Sequence, residues 1–328
     1  MMPITEDEFI GSVSNAIEVE GLTWTAGPTE LTALSTEEQR ARLGVIVTPE
    51  EMQQLMETTR LRALDETQVL EQLLGAPVSV DWRNVNGGNF VTPVKDQGSC
   101  GSCVSFGTCA TMESAVRIKV QNPNYNIDLS EAFCQFCGGA DCDGWGLTSG
   151  LEFAQSTGVT DEACMPYQAR NLDCGSSRCS DWQKRLLKIS SHTPHSTMEA
   201  RKSAIATNGP VLAGMAVYND FYAYRGGVYV KTAGSTYEGL HCICVVGYDD
   251  AQQCWIVKNS WGTNWGEGGF IRIKYQQSDL LIDSSWSFYS VLLEVEKKPD
   301  DLSSWISILL DVEENSSSWM PILLAEED

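Results

Sequence analysis

Between Glu37 and Leu74 apolar residues recur at helical spacing (Leu43, Met52, Leu55, Met56, Leu61, Leu64, Val69, Leu73) among Glu, Gln and Arg. That pattern predicts amphipathic helix. A break falls near Thr48-Pro49, since proline lacks the amide that continues a helix. Gly75-Ala76-Pro77 ends the periodicity. From Val78 the chain turns to Gly- and Cys-rich loops, with a helix-like stretch after Ser102 and another from Leu147 to Ser156. Beyond Pro210 the runs VLAGMAVY, GGVYV, HCICVVGY, CWIVKNSW and GFIRIKY read as strands. Helices early and strands late predict an α+β protein whose two lobes leave a cleft between them. The tail repeats itself: Ser303-Ser304-Trp305 leads to Leu309-Leu310, Ser317-Ser318-Trp319 leads to Leu323-Leu324, and Ser284-Ser285-Trp286 with Leu292-Leu293 is a looser copy. These copies are too few and too short for a solenoid. They read as a mobile or loosely docked tail, with a partner-binding motif of unknown partner as the alternative.

Charge divides the chain in the same places. Of the net −22, residues 1–79 hold −10, residues 80–289 hold −4 and residues 290–328 hold −8. The acidity belongs to the flanks, as solvated surface, and such a field disfavours nucleic acid and anionic membranes as partners. No apolar run is long enough for a membrane-spanning helix. The opening MMPITEDEFIGSV carries acids where a secretory signal carries a basic region and an apolar stretch. Twelve cysteines nonetheless suggest a secretory, lysosome-like or extracellular setting, so the compartment stays open.

Three separated segments carry the chemistry. The first is Asp81-Trp82-Arg83 followed by Val91-Thr92-Pro93-Val94-Lys95-Asp96-Gln97-Gly98-Ser99-Cys100-Gly101-Ser102-Cys103. The second is Gly239-Leu240-His241 running into Val245-Val246-Gly247-Tyr248. The third is Lys258-Asn259-Ser260-Trp261-Gly262, then Trp265-Gly266-Glu267 and Gly269-Phe270-Ile271-Arg272. In motif, order and spacing they resemble the papain and cathepsin family of cysteine proteases over about residues 78–290.

The resemblance implies a two-lobed papain-like fold, with a helical lobe carrying the nucleophile and an antiparallel, barrel-like β lobe. It implies a thiolate/imidazole dyad of Cys103 and His241, acting through an acyl-enzyme as an endopeptidase on polypeptide substrates. Asn259 would orient the imidazole, Trp261 would shield that bond, and Gln97 with the Cys103 N–H would form the oxyanion hole. The chemistry of the residues agrees. A thiol attacks as thiolate, and the amino end of a helix after Ser102 is expected to depress the Cys103 pKa. No cofactor and no metal are implied.

Three neighbours depart from the family pattern. Val104 stands where tryptophan is usual and Leu240 where Asp or Asn is usual. Trp145 replaces the second glycine of the segment Cys142-Asp143-Gly144-Trp145, which would bind substrate backbone. Gly214 falls in the main specificity pocket and suggests a roomy floor. Val104 and Trp145 also motivate an alternative, a catalytically weak peptide-binding or inhibitory relative.

By resemblance, Cys100 pairs with Cys142, and Cys137 with Cys174 or Cys179. Cys109, Cys134, Cys164, Cys242, Cys244 and Cys254 are expected as buried free thiols. The pairs Cys100-x-x-Cys103 and Cys134-x-x-Cys137 lack zinc-ribbon spacing and a thioredoxin-like setting, so zinc and redox roles are not adopted. His192 and His195 read as part of a polar surface loop. The stretch Leu31-Thr32-Ala33-Leu34-Ser35-Thr36-Glu37-Glu38 looks like a family propeptide motif. On that likeness residues 1–77 are a propeptide-like extension that lies backwards along the cleft as an intramolecular inhibitor, with cleavage between about Leu74 and Val80. Residues 78–290 are the catalytic domain and residues 291–328 an acidic tail.

Overall fold

The structure, a computed structural model, describes residues 4–63 and 76–294. The tail repeats at Trp305 and Trp319, and Leu74 and Gly75 at the start of the expected cleavage region, lie outside the described residues.

The chain opens with α1 (Glu6–Val19), a helix not anticipated from the sequence. Its start is set by a reciprocal cap: Thr5 Oγ1 accepts from Glu8 N, and the Glu8 carboxylate accepts from Thr5 N at 2.8 Å. Val13 and Ile17 are its only buried side chains, a stripe too narrow to stand out amid the acids. After β1 (Thr25–Ala26) comes α2 (Thr36–Arg40), capped in the same way by Ser35 and Glu38. The next helix, α3 (Pro49–Ala63), begins at its proline, where no amide is needed. The long run expected from Glu37 is therefore two helices joined by an extended stretch that includes Leu43. Leu64, Val69 and Leu73 lie outside the described residues.

The next elements are β2 (Ser79–Asp81), α4 (Cys103–Lys119), a π-helical turn at Phe133–Cys137, α5 (Ser149–Ser156) and α6 (Cys174–Ser177). Then follow β3 (Ile189–His195), α7 (Met198–Asn208), β4 (Val211–Tyr218), β5 (Tyr224–Gly226), β6 (Val228–Tyr229), β7 (Tyr237–Asp249), β8 (Cys254–Lys258), β9 (Phe270–Lys274) and β10 (Phe288–Leu293). Eight strands form one mostly antiparallel sheet in the order β3-β10-β4-β7-β8-β9-β6, with β2 joined to β7, and the small pair β1-β5 stands apart. The strand path is open, so the second lobe is sheet-rich without a closed barrel. Strand β4 is buried at every position but the last, which is why VLAGMAVY reads as continuous hydrophobicity rather than alternation. Helix α4 is buried from Cys103 through Val116 and packs against β7 and β10, so the two lobes meet along it.

Three expectations need correction. His192 and His195 sit on β3 rather than in a loop, because β10 pairs with that segment from Phe288–His195 to Val291–His192. Cys164 is not a free thiol: it is bonded to Cys179, beside Cys100–Cys142 and Cys137–Cys174. Ser284-Ser285-Trp286 is no loose tail copy, because the Trp286 indole is buried in the core beside Leu147, Leu240 and Leu281. Among the described residues no helix is long and apolar enough to cross a membrane.

Candidate active site

Cys103 is the first residue of α4, His241 lies on β7 and Asn259 directly follows β8, so the pairing of β7 with β8 brings histidine and asparagine together. His241 Nε2 and Asn259 Oδ1 are 2.8 Å apart, and the Ser260 N–H donates to the same oxygen at 2.9 Å. Since that backbone donor fixes the oxygen as acceptor, His241 Nε2 carries the proton and Nδ1 keeps its lone pair. Trp261, almost wholly buried, covers the bond with its ring 4.8 Å from the imidazole.

Gln97 is buried and locked. Its Oε1 accepts from Ser260 Oγ at 2.6 Å, and its Nε2 donates to the Cys100 carbonyl at 2.8 Å and to the Arg42 carbonyl at 3.0 Å. Tyr167, which nothing in the sequence singled out, holds this loop by donating to the Gln97 carbonyl at 2.7 Å. Ser260 escaped notice too, although it sits inside the Lys258-Asn259-Ser260-Trp261 motif.

The extended stretch after α2 occupies the cleft. Trp145 N donates to the Gly44 carbonyl at 2.7 Å, Ile46 N donates to the Trp145 carbonyl at 2.8 Å, and Val45 N donates to the Leu240 carbonyl at 3.3 Å. Val45 and Trp145 form a parallel bridge. The stretch passes too close to Cys103 for a side chain at Gly44, whose Cβ would lie 1.9 Å from the Gly101 carbonyl oxygen. Gly144, at φ +133, has the Gly44 carbonyl oxygen 2.4 Å from where its own Cβ would be. Trp145 thus contributes its backbone to the cleft, while its ring turns aside to pack 6.4 Å from Phe153.

Gly214 does not leave a roomy floor. A Cβ there would meet the Trp286 indole at 2.8 Å and Leu147 at 3.0 Å, so the space freed by the missing side chain is filled by Trp286.

Electrostatics under this cover differ from those of an open cleft. Burial pushes the Cys103 thiol up to about 11, although the N–H groups of Cys242, Gly44, Val104 and Cys103 pull it the other way. The helix terminus acts in the direction expected and is outweighed by desolvation. Burial likewise depresses His241 to about 4, with the Asn259 bond opposing. His241 Nδ1 has no hydrogen-bond partner. The covered site therefore holds a neutral thiol and a neutral imidazole.

Behind the site lies a buried ionic cluster. Glu113 accepts from Leu129 N at 2.8 Å and Thr92 Oγ1 at 2.5 Å, and Lys95 reaches Glu131 at 2.7 Å. Lys258, buried, donates to Thr92 Oγ1 at 3.0 Å. Among the described residues no group of three or more His, Cys, Asp or Glu is placed to hold a metal ion.

A family model described as "Papain family cysteine protease" matches residues 76–289. The chain is 32% identical over 212 residues to a "Cathepsin L-like proteinase" of Fasciola hepatica, covering 62% of each. It is 34% identical over 238 residues to "Cysteine proteinase 2" of Entamoeba histolytica, covering 69% of this chain and 72% of that protein. The matches span less than two thirds of some curated relatives, 62% of the Fasciola protein and 64% of "Cysteine proteinase 1" of Entamoeba histolytica. Among solved structures, a digestive procathepsin L 3 from Tenebrio molitor larval midgut superposes with TM-score 0.66 at 24% identity, covering 88% of this chain and 89% of that one. The proCathepsin B S9 of Trypanosoma congolense gives 0.68 at 20% identity over 88% and 98%. At these identities the likeness is one of fold, and it reaches beyond residues 76–289.

Proposed function

The chain belongs to the papain family of cysteine proteases, and on that premise we propose that it is the precursor of an endopeptidase whose nucleophile is Cys103 and whose inhibitor is its own residues 1–77. Catalysis begins when His241 Nδ1 takes the Cys103 proton. The thiolate adds to the peptide carbonyl carbon, and the resulting oxyanion is held by Gln97 Nε2 and the Cys103 N–H. His241 returns the proton to the departing amine, leaving a thioester. Water, deprotonated by the same imidazole, then releases the acid and restores the thiol. Asn259 keeps the imidazole in the tautomer this sequence requires.

The observation that carries the reading is the Arg42 carbonyl on Gln97 Nε2 at 3.0 Å. A peptide carbonyl already sits on the proposed oxyanion donor, presented by a segment whose parallel bridge to Trp145 runs it backwards for a substrate. Such a segment fills the cleft without offering a cleavable bond to Cys103. The two structural neighbours named above are proforms, which agrees with this role. The acidic tail is proposed as a separate segment outside the catalytic domain.

The test is incubation of the purified chain in mildly acidic reducing buffer beside its Cys103→Ala variant. We expect loss of a fragment ending between Leu74 and Val80 in the native chain alone, then hydrolysis of denatured protein that a thiol-blocking reagent abolishes. Hydrolysis indifferent to the reagent would sink the proposal.

A further inference from the structure

The inhibitory segment enters the cleft with two arginines, and each meets a carboxylate of the enzyme. Arg42 Nη1 is 2.7 Å from Asp96 Oδ1, and Arg40 Nε is 2.7 Å from Glu238 Oε2. Both acceptors are built positions. Asp96 adjoins Gln97, is bridged in β fashion to Trp261, and its Oδ1 also accepts from Gly98 N at 2.9 Å. The Glu238 side chain is only 5% exposed, lies on β7 three residues before His241, and its Oε1 accepts from Thr236 Oγ1 at 3.1 Å. Tyr222 Oη, buried without a hydrogen-bond partner, feels the charges of Glu238, Arg40 and Arg42, and its ring lies 5.6 Å from Trp261.

Taking the Arg42 carbonyl on Gln97 as the place of the reacting carbonyl and Gly144 with Trp145 as the strand that holds the acyl side of a substrate, these groups lie on the opposite, leaving-group side. Gly44 to Ile46 run along Gly144 and Trp145, Arg42 marks Gln97, and Arg40 and Asp96 lie where the segment continues away from Trp145. When the segment leaves, both carboxylates lose their cations. Glu238, whose side chain is 5% exposed beneath Arg40, is the costlier of the two to leave without a cation, whereas Asp96, 43% exposed, contributes mainly its charge at the mouth of the site. Guanidinium restores the lost bond best, since its planar fork matches a carboxylate.

Resting on the function proposed above, we infer that Asp96 and Glu238 make the activated cleft selective for peptides with basic side chains just beyond the scissile bond, on the leaving-group side. Side chains that the inhibitor presents in reverse are replaced there by those of the substrate. A substrate with acids at these positions meets like charge and is rejected.

Two measurements test this. Full-length precursor, activated by removal of its own pro-segment, is profiled on a peptide library varied on both sides of the cut. Basic residues should be enriched on the leaving-group side, with the ratio of kcat/KM for Arg over neutral peptides falling at least tenfold in Asp96→Asn/Glu238→Gln. Indifference to charge while hydrolysis proceeds overturns the selectivity and leaves the protease reading intact.

The second measurement needs no turnover. A synthetic peptide of residues 36–47 is titrated onto Cys103→Ala chain, trimmed by an added protease. Replacing Arg40 and Arg42 by Ala should weaken binding at least tenfold, and the Asp96→Asn/Glu238→Gln background should erase most of that difference. Equal binding of the two peptides overturns the inference even if no peptide is cleaved, whereas absence of hydrolysis beside a charge-dependent Kd overturns only the catalytic reading.

Discussion

The Arg42 carbonyl oxygen and Gln97 Nε2 are hydrogen-bonded at 3.0 Å, so one amide serves both as brake in the covered chain and as oxyanion donor in the proposed reaction. Gln97→Ala should lower kcat of the activated protease roughly 100- to 1,000-fold with little change in KM, because the bond strengthens as the oxyanion forms. The same substitution should weaken inhibition by a peptide of residues 36–47. Steady-state kinetics and inhibitor titration check the two effects.

Gly44 lies against the Gly101 carbonyl with no room for a Cβ. Gly44→Ala forces backbone apart on one side or the other, a strain of about 1–3 kcal/mol. The uncut precursor of this variant should label with a thiol-directed active-site probe roughly ten times faster than the native precursor. Equal labelling rates would show that the segment seats elsewhere.

Acid should open the covered site. His241 is held neutral by burial, near 4 against an ordinary 6.5. Its folded-state pKa is depressed, so the open state binds more protons between those values, and the closed state loses stability as pH falls from about 6.5 towards 4. The effect is bounded above at about 3 kcal/mol, the value for complete solvation of the ring, and Trp261 and Asn259, which stay on the imidazole, make it smaller. Hydrogen exchange of residues 41–47 in the Cys103→Ala precursor should speed up across that window. Replacing His241 by Gln should flatten the dependence.

Gly214 and Trp286 are coupled by contact, with 2.8 Å between the indole and the position a Cβ would take. Gly214→Ala alone should destabilise by about 1–3 kcal/mol through overpacking. Trp286→Ala alone should cost about 3–5 kcal/mol by leaving a cavity. The double variant should be less destabilised than the sum, since each change relieves the other. Urea denaturation of the four proteins measures the cycle, and simple additivity would refute the contact.

Much of the proposed site was legible along the chain. Cys103, His241, Asn259 and Gln97 lie in motifs whose residue types bespeak their chemistry, and strands such as VLAGMAVY announce themselves by continuous burial. Helix α1 was hidden because two buried side chains make a weak periodic signal. The pairing Cys164–Cys179 was hidden because a disulfide depends on distances between loops, which spacing does not supply.

The sequence by itself determined the inventory: a thiol, an imidazole, an amide proposed to orient it, a proposed oxyanion donor and the segments that carry them. Tertiary structure alone decided their state. It laid Arg42 to Ile46 across Cys103, filled the hollow at Gly214 with Trp286, and made thiol and imidazole neutral. The reason is physical. Residue identity fixes which bonds a group is able to make, but desolvation and packing depend on whatever the fold brings against it from elsewhere in the chain.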